Sequence, residues 1–180
     1  RLIKNTSITG AVVGVSDAHG ATWFTKAGEV SVAGQIEEID LNHRFLLTSV
    51  TKTFTATQIL QLVDDGLLDL DTPVSSYLPE FAVNNKHNVT TRQLLTHTSG
   101  LSDTSNLIEA APAQYSPTEY IQAALGAGLA FEPGKGWAYC SPGFWVMAEL
   151  ISRLRSTLYD KDLHQRVAIP LGLENTGYVT

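Results

Sequence analysis

The feature that most constrains this chain is a helical repeat with a lone charge inside it. In Phe45-Leu-Leu-Thr-Ser-Val-Thr-Lys-Thr-Phe-Thr-Ala-Thr-Gln-Ile-Leu60 and onward, the apolar residues Val50, Phe54, Ile59, Leu60 and Val63 recur at helical spacing. Gly66 follows where a glycine would stop the helix. The pattern predicts a helix over 49–65, apolar on most sides and therefore central, covered by a sheet and by other helices. Lys52 is the one cation in that run, a costly residue to bury without a purpose. Ser49 stands three residues before it, and a pair at i and i+3 shares one helix face with Cβ atoms about 5–6 Å apart. A serine hydroxyl is a weak nucleophile until a neighbouring base takes its proton, and a lysine whose pKa is lowered by burial can help to do so. A bland alternative is a lysine stem that packs while its ammonium reaches water, and Ser-x-x-Lys alone does not decide between the two.

Composition limits the other possibilities. The 180 residues are 43% hydrophobic and 17% charged, enough to bury a core. Apolar runs such as 144–148 fall far short of the ~18 residues a membrane span needs. A net charge of −6, with Lys and Arg scattered singly, lacks the basic stripe that phosphate backbones require, so nucleic acid is not an expected partner. Cys140 is the single cysteine, which excludes an internal disulfide and a multi-thiolate metal site. His19, His43, His87 and His164 are isolated, and neither a metal nor a cofactor is expected. The chain opens at Arg1 without an initiator Met, as a processed or trimmed product would. Asn5-Thr-Ser7 and Asn88-Val-Thr90 fit the glycosylation triplet, which matters only in a eukaryotic secretory source.

Around the central helix the elements fall in order. Residues 8–16 and 21–27 are β-rich runs separated by Asp17-Ala-His-Gly20, so the chain should start with an antiparallel hairpin. Asp69-Leu-Asp-Thr-Pro73 is a turn, and Thr90-Thr-Arg-Gln93 is a capping box opening a helix with Leu94 and Leu95 that ends near Gly100. Ser116-Pro-Thr-Glu119 repeats the start signal, with proline at the first helical position. Phe131-Glu-Pro-Gly-Lys-Gly136 reads as a loop. Ser141-Pro142 then opens a helix carrying Phe144, Val146, Met147, Leu150, Ile151 and Leu154. With no repeat, linker or low-complexity tract, one domain or a large part of one is the simplest organisation.

Several of these stretches together resemble a known family. Phe45-x-x-x-Ser49-Val-Thr-Lys52, Asp69-Leu-Asp-x-Pro73, Tyr77-Leu-Pro79, Leu94-Leu-Thr-His-Thr-Ser-Gly-Leu101, Glu132-Pro-Gly134, Tyr139-Cys-Ser141 and Pro170-Leu-Gly172 are similar in order and spacing to the serine β-lactamase and penicillin-binding protein group. Within it the chain looks most like the class C branch, with its D-Ala-D-Ala peptidases and related esterases and acyltransferases. The resemblance implies an α/β (α+β) fold of the β-lactamase/transpeptidase type, an antiparallel sheet packed with helices plus a helical domain. It implies a serine hydrolase working through an acyl-enzyme on a small-molecule acyl substrate. Ser49 would be the nucleophile, Lys52 its activating lysine and Tyr139 the residue that shuttles the proton. The family also suggests an extracytoplasmic or secreted location.

Two departures bear on substrate and completeness. Ser141 falls where the family usually has asparagine; it either caps the following helix or contacts substrate, and it has no amide to recognise a β-lactam or peptide acylamino group. This tilts the expectation toward ester hydrolysis or acyl transfer. The third motif, a strand with Lys-Thr-Gly or His-x-Gly, does not occur; Asn175-Thr-Gly177 lacks the basic residue. Residues 1–180 are therefore expected to form the N-terminal strands and helical part of one β-lactamase-like domain, cut before the third motif. The C-terminal remainder, in cis or as a separate chain, would supply the other strands and the second oxyanion donor. Cys140 is read as a small packed residue, and His97 as part of a helix end rather than a catalytic histidine.

Overall fold

A computed structural model describes residues 8–104 and 117–178. Two compact units divide between Leu46 and Leu47. The first is a three-stranded antiparallel sheet in the order β1 (Gly10–Ser16), β2 (Thr22–Val32), β3 (Gln35–Glu38). The expected hairpin is present with Val13 opposite Thr25 and Val15 opposite Trp23. Its turn is built by Asp17, whose carboxylate accepts the backbone N–H groups of His19 and Ala21 at 2.8 and 2.9 Å. The sequence reading stops β2 at residue 27 and has no β3. The chain instead runs on to Val32 and turns back through Ala33 and Gly34, both at positive φ (51° and 84°). That is the two-residue hairpin geometry usually signalled by Asn-Gly, here carried by alanine at its first position.

The second unit is helical: α1 (Thr51–Asp64), α2 (Thr91–Leu95), α3 (Pro117–Gly126), α4 (Pro142–Arg155) and α5 (Tyr159–Leu163), with three short 3-10 turns between α1 and α2. Ile59 and Leu62 of α1 and Val146, Met147, Leu150 and Ile151 of α4 are buried in its core, with Leu94 of α2 and Ala124 of α3. Thr55 of α1 is buried and hydrogen-bonds the Tyr159 hydroxyl at 2.7 Å. Gly66 terminates α1 as expected. At φ 70° it sits at the left-handed position while its N–H donates to Val63 O and the N–H of Leu67 to Leu62 O, both at 2.9 Å. Burial on most sides of α1 is not what the structure has. Leu60 is 49% exposed and Val50 56%, so the helix turns one face, Thr55, Gln58, Ile59 and Leu62, to the core.

The Thr90–Gln93 capping box forms with both reciprocal hydrogen bonds, but α2 stops at Leu95 rather than near Gly100. The closing left-handed residue is His97, at φ 59°, with its N–H on Leu94 O (3.3 Å) and the N–H of Thr98 on Gln93 O (2.9 Å). Gly100 has another reason to be glycine. Its carbonyl accepts the Ala130 N–H at 2.7 Å, and a Cβ there would run into the Phe131 carbonyl oxygen. Ser116, expected to cap α3, lies outside the described residues.

Lys86 ties the end of α3 to the loop before α2. It is fully enclosed, and its ammonium donates to Leu125 O at 2.8 Å and Ala127 O at 2.7 Å. Burial pulls its pKa below the usual lysine value. Replacing Lys86 with methionine keeps much of the volume but orphans Ala127 O, at about 1–3 kcal/mol for an unpaired carbonyl, and leaves Leu125 O only the long bond from Asn84 Nδ2 (3.4 Å), less the recovered desolvation of the ammonium. We expect a net loss of about 1 kcal/mol, read as a lower urea midpoint; an unchanged midpoint would mean that water satisfies the Ala127 carbonyl.

Candidate active site

Ser49 lies in a 3-10 turn, Thr48–Val50, that runs directly into α1. The N–H groups of such a first turn have no partner within the helix, and the positive end of the helix dipole favours negative charge developing beside it. The residue before the serine is strained: Thr48 is a β-branched residue at φ 45°, a conformation costing on the order of 1–3 kcal/mol. Neither composition nor periodicity signals that strain.

One turn into the helix, Lys52 is half-buried rather than enclosed, and its ammonium donates to Ser49 Oγ at 3.4 Å. The same nitrogen lies 4.9 Å from the Tyr139 ring centroid and 5.4 Å from that of Phe144. Both aromatic faces attract a cation, which fixes where the flexible lysine stem ends. Tyr139 arrives from a segment 90 residues away in sequence, and its phenol hydrogen-bonds Ser49 Oγ at 2.7 Å. The three residues singled out by the sequence therefore meet at one oxygen.

The electrostatics of Tyr139 suit proton transfer. Burial resists ionisation of the phenol, but the hydrogen bond from Lys52, the hydroxyl of Ser49, the Lys52 charge and the hydroxyl of Ser141 together outweigh it, and the phenol sits below its ordinary pKa. Ser141 occupies the N-cap position of α4, but its side chain makes no capping hydrogen bond there. Of the two roles open to it in the sequence, capping is thus not observed, and its hydroxyl faces the phenol. Cys140 behaves as the packed residue expected of it: it is 3% exposed, and burial pushes its thiol up to about 11. No group of three or more His, Cys, Asp and Glu side chains among the described residues is arranged to hold a metal. No helix among them is long and apolar enough to cross a membrane.

A serine hydroxyl with a phenol and an ammonium both in hydrogen-bond reach is an arrangement chemically able to support acyl transfer. Comparison with known proteins carries the family assignment. A family model described as beta-lactamase matches residues 1–180. The chain belongs to the β-lactamase family. Penicillin-binding protein 4 of Amycolatopsis lactamdurans is 34% identical over 71% of this chain and 34% of its own length. Esterase EstB of Burkholderia gladioli is 31% identical over 99% of this chain and 49% of its own. Among solved structures, the D-stereospecific amidohydrolase from a Streptomyces species superposes with a TM-score of 0.76 at 30% identity, covering 93% of this chain and 51% of that one. The fold is of the β-lactamase/transpeptidase type, and these relatives include esterases, amidohydrolases and penicillin-binding proteins. The chain spans about a third to about half of the length of these relatives.

Sequence reasoning passed over His97 as a site residue. Its ring lies 4.6 Å from that of Tyr139 and 5.4 Å from that of Phe144, and its Nδ1 accepts the Cys140 N–H at 3.2 Å. The sequence places the helix stop near Gly100, so nothing local marks His97 as the residue that closes α2.

Proposed function

We propose that this chain is the nucleophile-bearing part of a serine esterase or acyltransferase that works through an acyl-enzyme. The reading rests on one observation, the convergence of the Tyr139 phenol (2.7 Å) and the Lys52 ammonium (3.4 Å) on Ser49 Oγ. In this mechanism Tyr139 accepts the serine proton as Ser49 Oγ bonds to the acyl carbon, then passes it to the departing alkoxide as the ester C–O bond breaks. A water or acceptor alcohol gives its proton to Tyr139 and attacks the acyl carbon, and the proton returns to Ser49 as the acyl group leaves. The Lys52 ammonium, 4.9 Å from the Tyr139 ring centroid, holds the phenolate form. The backbone N–H of Ser49 is one oxyanion donor; the second comes from the C-terminal remainder of the domain, in cis or as a separate chain.

Esters rank ahead of amides and β-lactams because Ser141 has no amide to hold an acylamino group, and because likeness to an esterase extends over 99% of the chain. The 30% identity to an amidohydrolase supports amide hydrolysis as the second reading. A module that is acylated by penicillin and never turns over is the alternative from outside enzymology. The test offers the complete polypeptide p-nitrophenyl butyrate, a D-amino acid amide and a fluorescent penicillin, following product release and the intact mass of the protein. Rapid turnover of the butyrate with a transient gain of one acyl group is expected. Preferred cleavage of the amide moves the assignment to an amidase, and a penicillin adduct lasting for hours with no turnover moves it to a sensor.

A further inference from the structure

We propose that His97 is the positioning residue that sets the Tyr139 phenol on Ser49. The proposal rests on the reading of Ser49 and Tyr139 above and adds the residue on which their alignment depends. The segment carrying Tyr139, residues 137–140, is neither helix nor strand, so no ladder of backbone hydrogen bonds fixes it. His97 replaces that ladder. The Ala138 N–H donates to the His97 carbonyl at 3.0 Å, and the Cys140 N–H donates to His97 Nδ1 at 3.2 Å. The peptide N–H groups on both sides of Tyr139 thus end on one residue. Between these two bonds the imidazole lies against the tyrosine ring, centroids 4.6 Å apart and planes 36° from parallel, with Phe144 at 5.4 Å and the edge of Trp137 at 6.1 Å.

The backbone of His97 is what permits both bonds. At φ 59° it holds the left-handed position that closes α2, where glycine is the ordinary choice and histidine an uncommon one. Glycine would close the helix equally well, yet it would have no acceptor for the Cys140 N–H and no ring for Tyr139. Accepting at Nδ1 also leaves the imidazole proton on Nε2, so the ring acts here in its neutral form. Burial, followed by the charge of Lys52, favours that form, with Asp103 opposing. His97 does not touch the reacting oxygen; it acts through Tyr139.

Substitutions at this one position separate helix closure from positioning. His97→Gly keeps the left-handed turn and loses the acceptor and the ring. His97→Asn tolerates the same φ and carries Oδ1 close to where Nδ1 stood. Both variants, made in the complete polypeptide, are assayed for kcat and KM on p-nitrophenyl butyrate, for the rate at which a fluorophosphonate labels Ser49, and for the urea midpoint. The glycine variant is expected to lose about 10²-fold in kcat and labelling rate with KM within a few-fold of wild type, the scale for a displacement of about 1 Å in a catalytic group. The asparagine variant should recover at least about tenfold of that loss, a partial return of the aligned geometry, at a midpoint close to wild type. Wild-type kcat in His97→Gly, or an asparagine variant as slow as the glycine one, would overturn the proposal while leaving the Ser49 reading intact. A wild-type protein that takes no label on Ser49 would overturn both.

Discussion

Ser49→Ala is expected to bring ester turnover to background and to abolish covalent capture by a fluorophosphonate. Every bond-making step in the proposed cycle passes through Ser49 Oγ, so no residual path through a neighbouring group is available. The other hydroxyls near the site do not substitute for it. Ser99 is 2% exposed and its oxygen accepts the Leu101 N–H at 3.2 Å, which leaves it neither accessible nor activated. Ser141 faces the Tyr139 phenol, but no described ammonium donates to its oxygen as Lys52 donates to Ser49. Because Ser49 is exposed, its loss should change stability by no more than about 0.5–1 kcal/mol, so inactivity would not reflect unfolding. The measurement is peptide mapping by mass spectrometry of wild type and variant after labelling. One adduct on the peptide containing Ser49, absent from the variant, is the expected result. A variant labelled on Ser141 would transfer the nucleophile there and dismantle the site as described.

How much of this was legible in the sequence depends on whether the relevant physics is local. The Ser49–Lys52 pair is a matter of helical spacing, and helical periodicity over α1 is strong, so the pair could be placed on one face without other information. The capping box at Thr90 and the glycine stop at Gly66 are likewise decided within a few residues. Tyr139 is different. It reaches Ser49 across 90 positions, and nothing local says that an exposed tyrosine in an irregular segment turns toward a serine on another element; family resemblance alone pointed to it. Leu60 and Val50 are half-exposed for a related reason, since apolarity shows what can be buried but not which neighbours arrive to bury it. β3 escaped notice because alanine, a poor left-handed residue, occupies its turn. His97 is read from sequence as part of a helix end, which it is, but its contacts with the Tyr139 segment, 43 positions on at Cys140, are not local and leave no trace there. In both cases tertiary context holds the backbone where sequence preference would not put it, and at His97 and Thr48 that strain sits beside the candidate chemistry.

Lys52 and Tyr139 are expected to differ in what their loss does to the pH profile, and this distinguishes their roles more sharply than the rates alone. Tyr139→Phe removes only the phenolic oxygen and leaves the ring against His97 and beneath the Lys52 ammonium. Without a proton carrier, kcat/KM should fall about 10²–10³-fold, the usual scale of general acid–base catalysis, and no pH should restore it. Lys52→Ala leaves the phenol in place but removes two of the influences that hold its pKa down, the hydrogen bond and the charge. The sign follows directly. With those gone, burial is less opposed, the phenol pKa rises, and at neutral pH a smaller fraction is ionised and able to take the serine proton. Activity near neutrality should therefore drop about 10³-fold or more, the loss of the base being compounded by loss of the cation that steadies the phenolate. Unlike the Tyr139 variant, however, it should partly recover as pH is raised, with the ascending limb of the profile displaced to higher pH than in wild type. Full pH profiles of kcat/KM for the two variants on one ester make the comparison. A Lys52→Ala profile that keeps the wild-type limb at reduced height would show that Lys52 does not tune Tyr139, and a Tyr139→Phe enzyme with undiminished kcat/KM would remove the phenol from the reaction and leave Lys52 as the base.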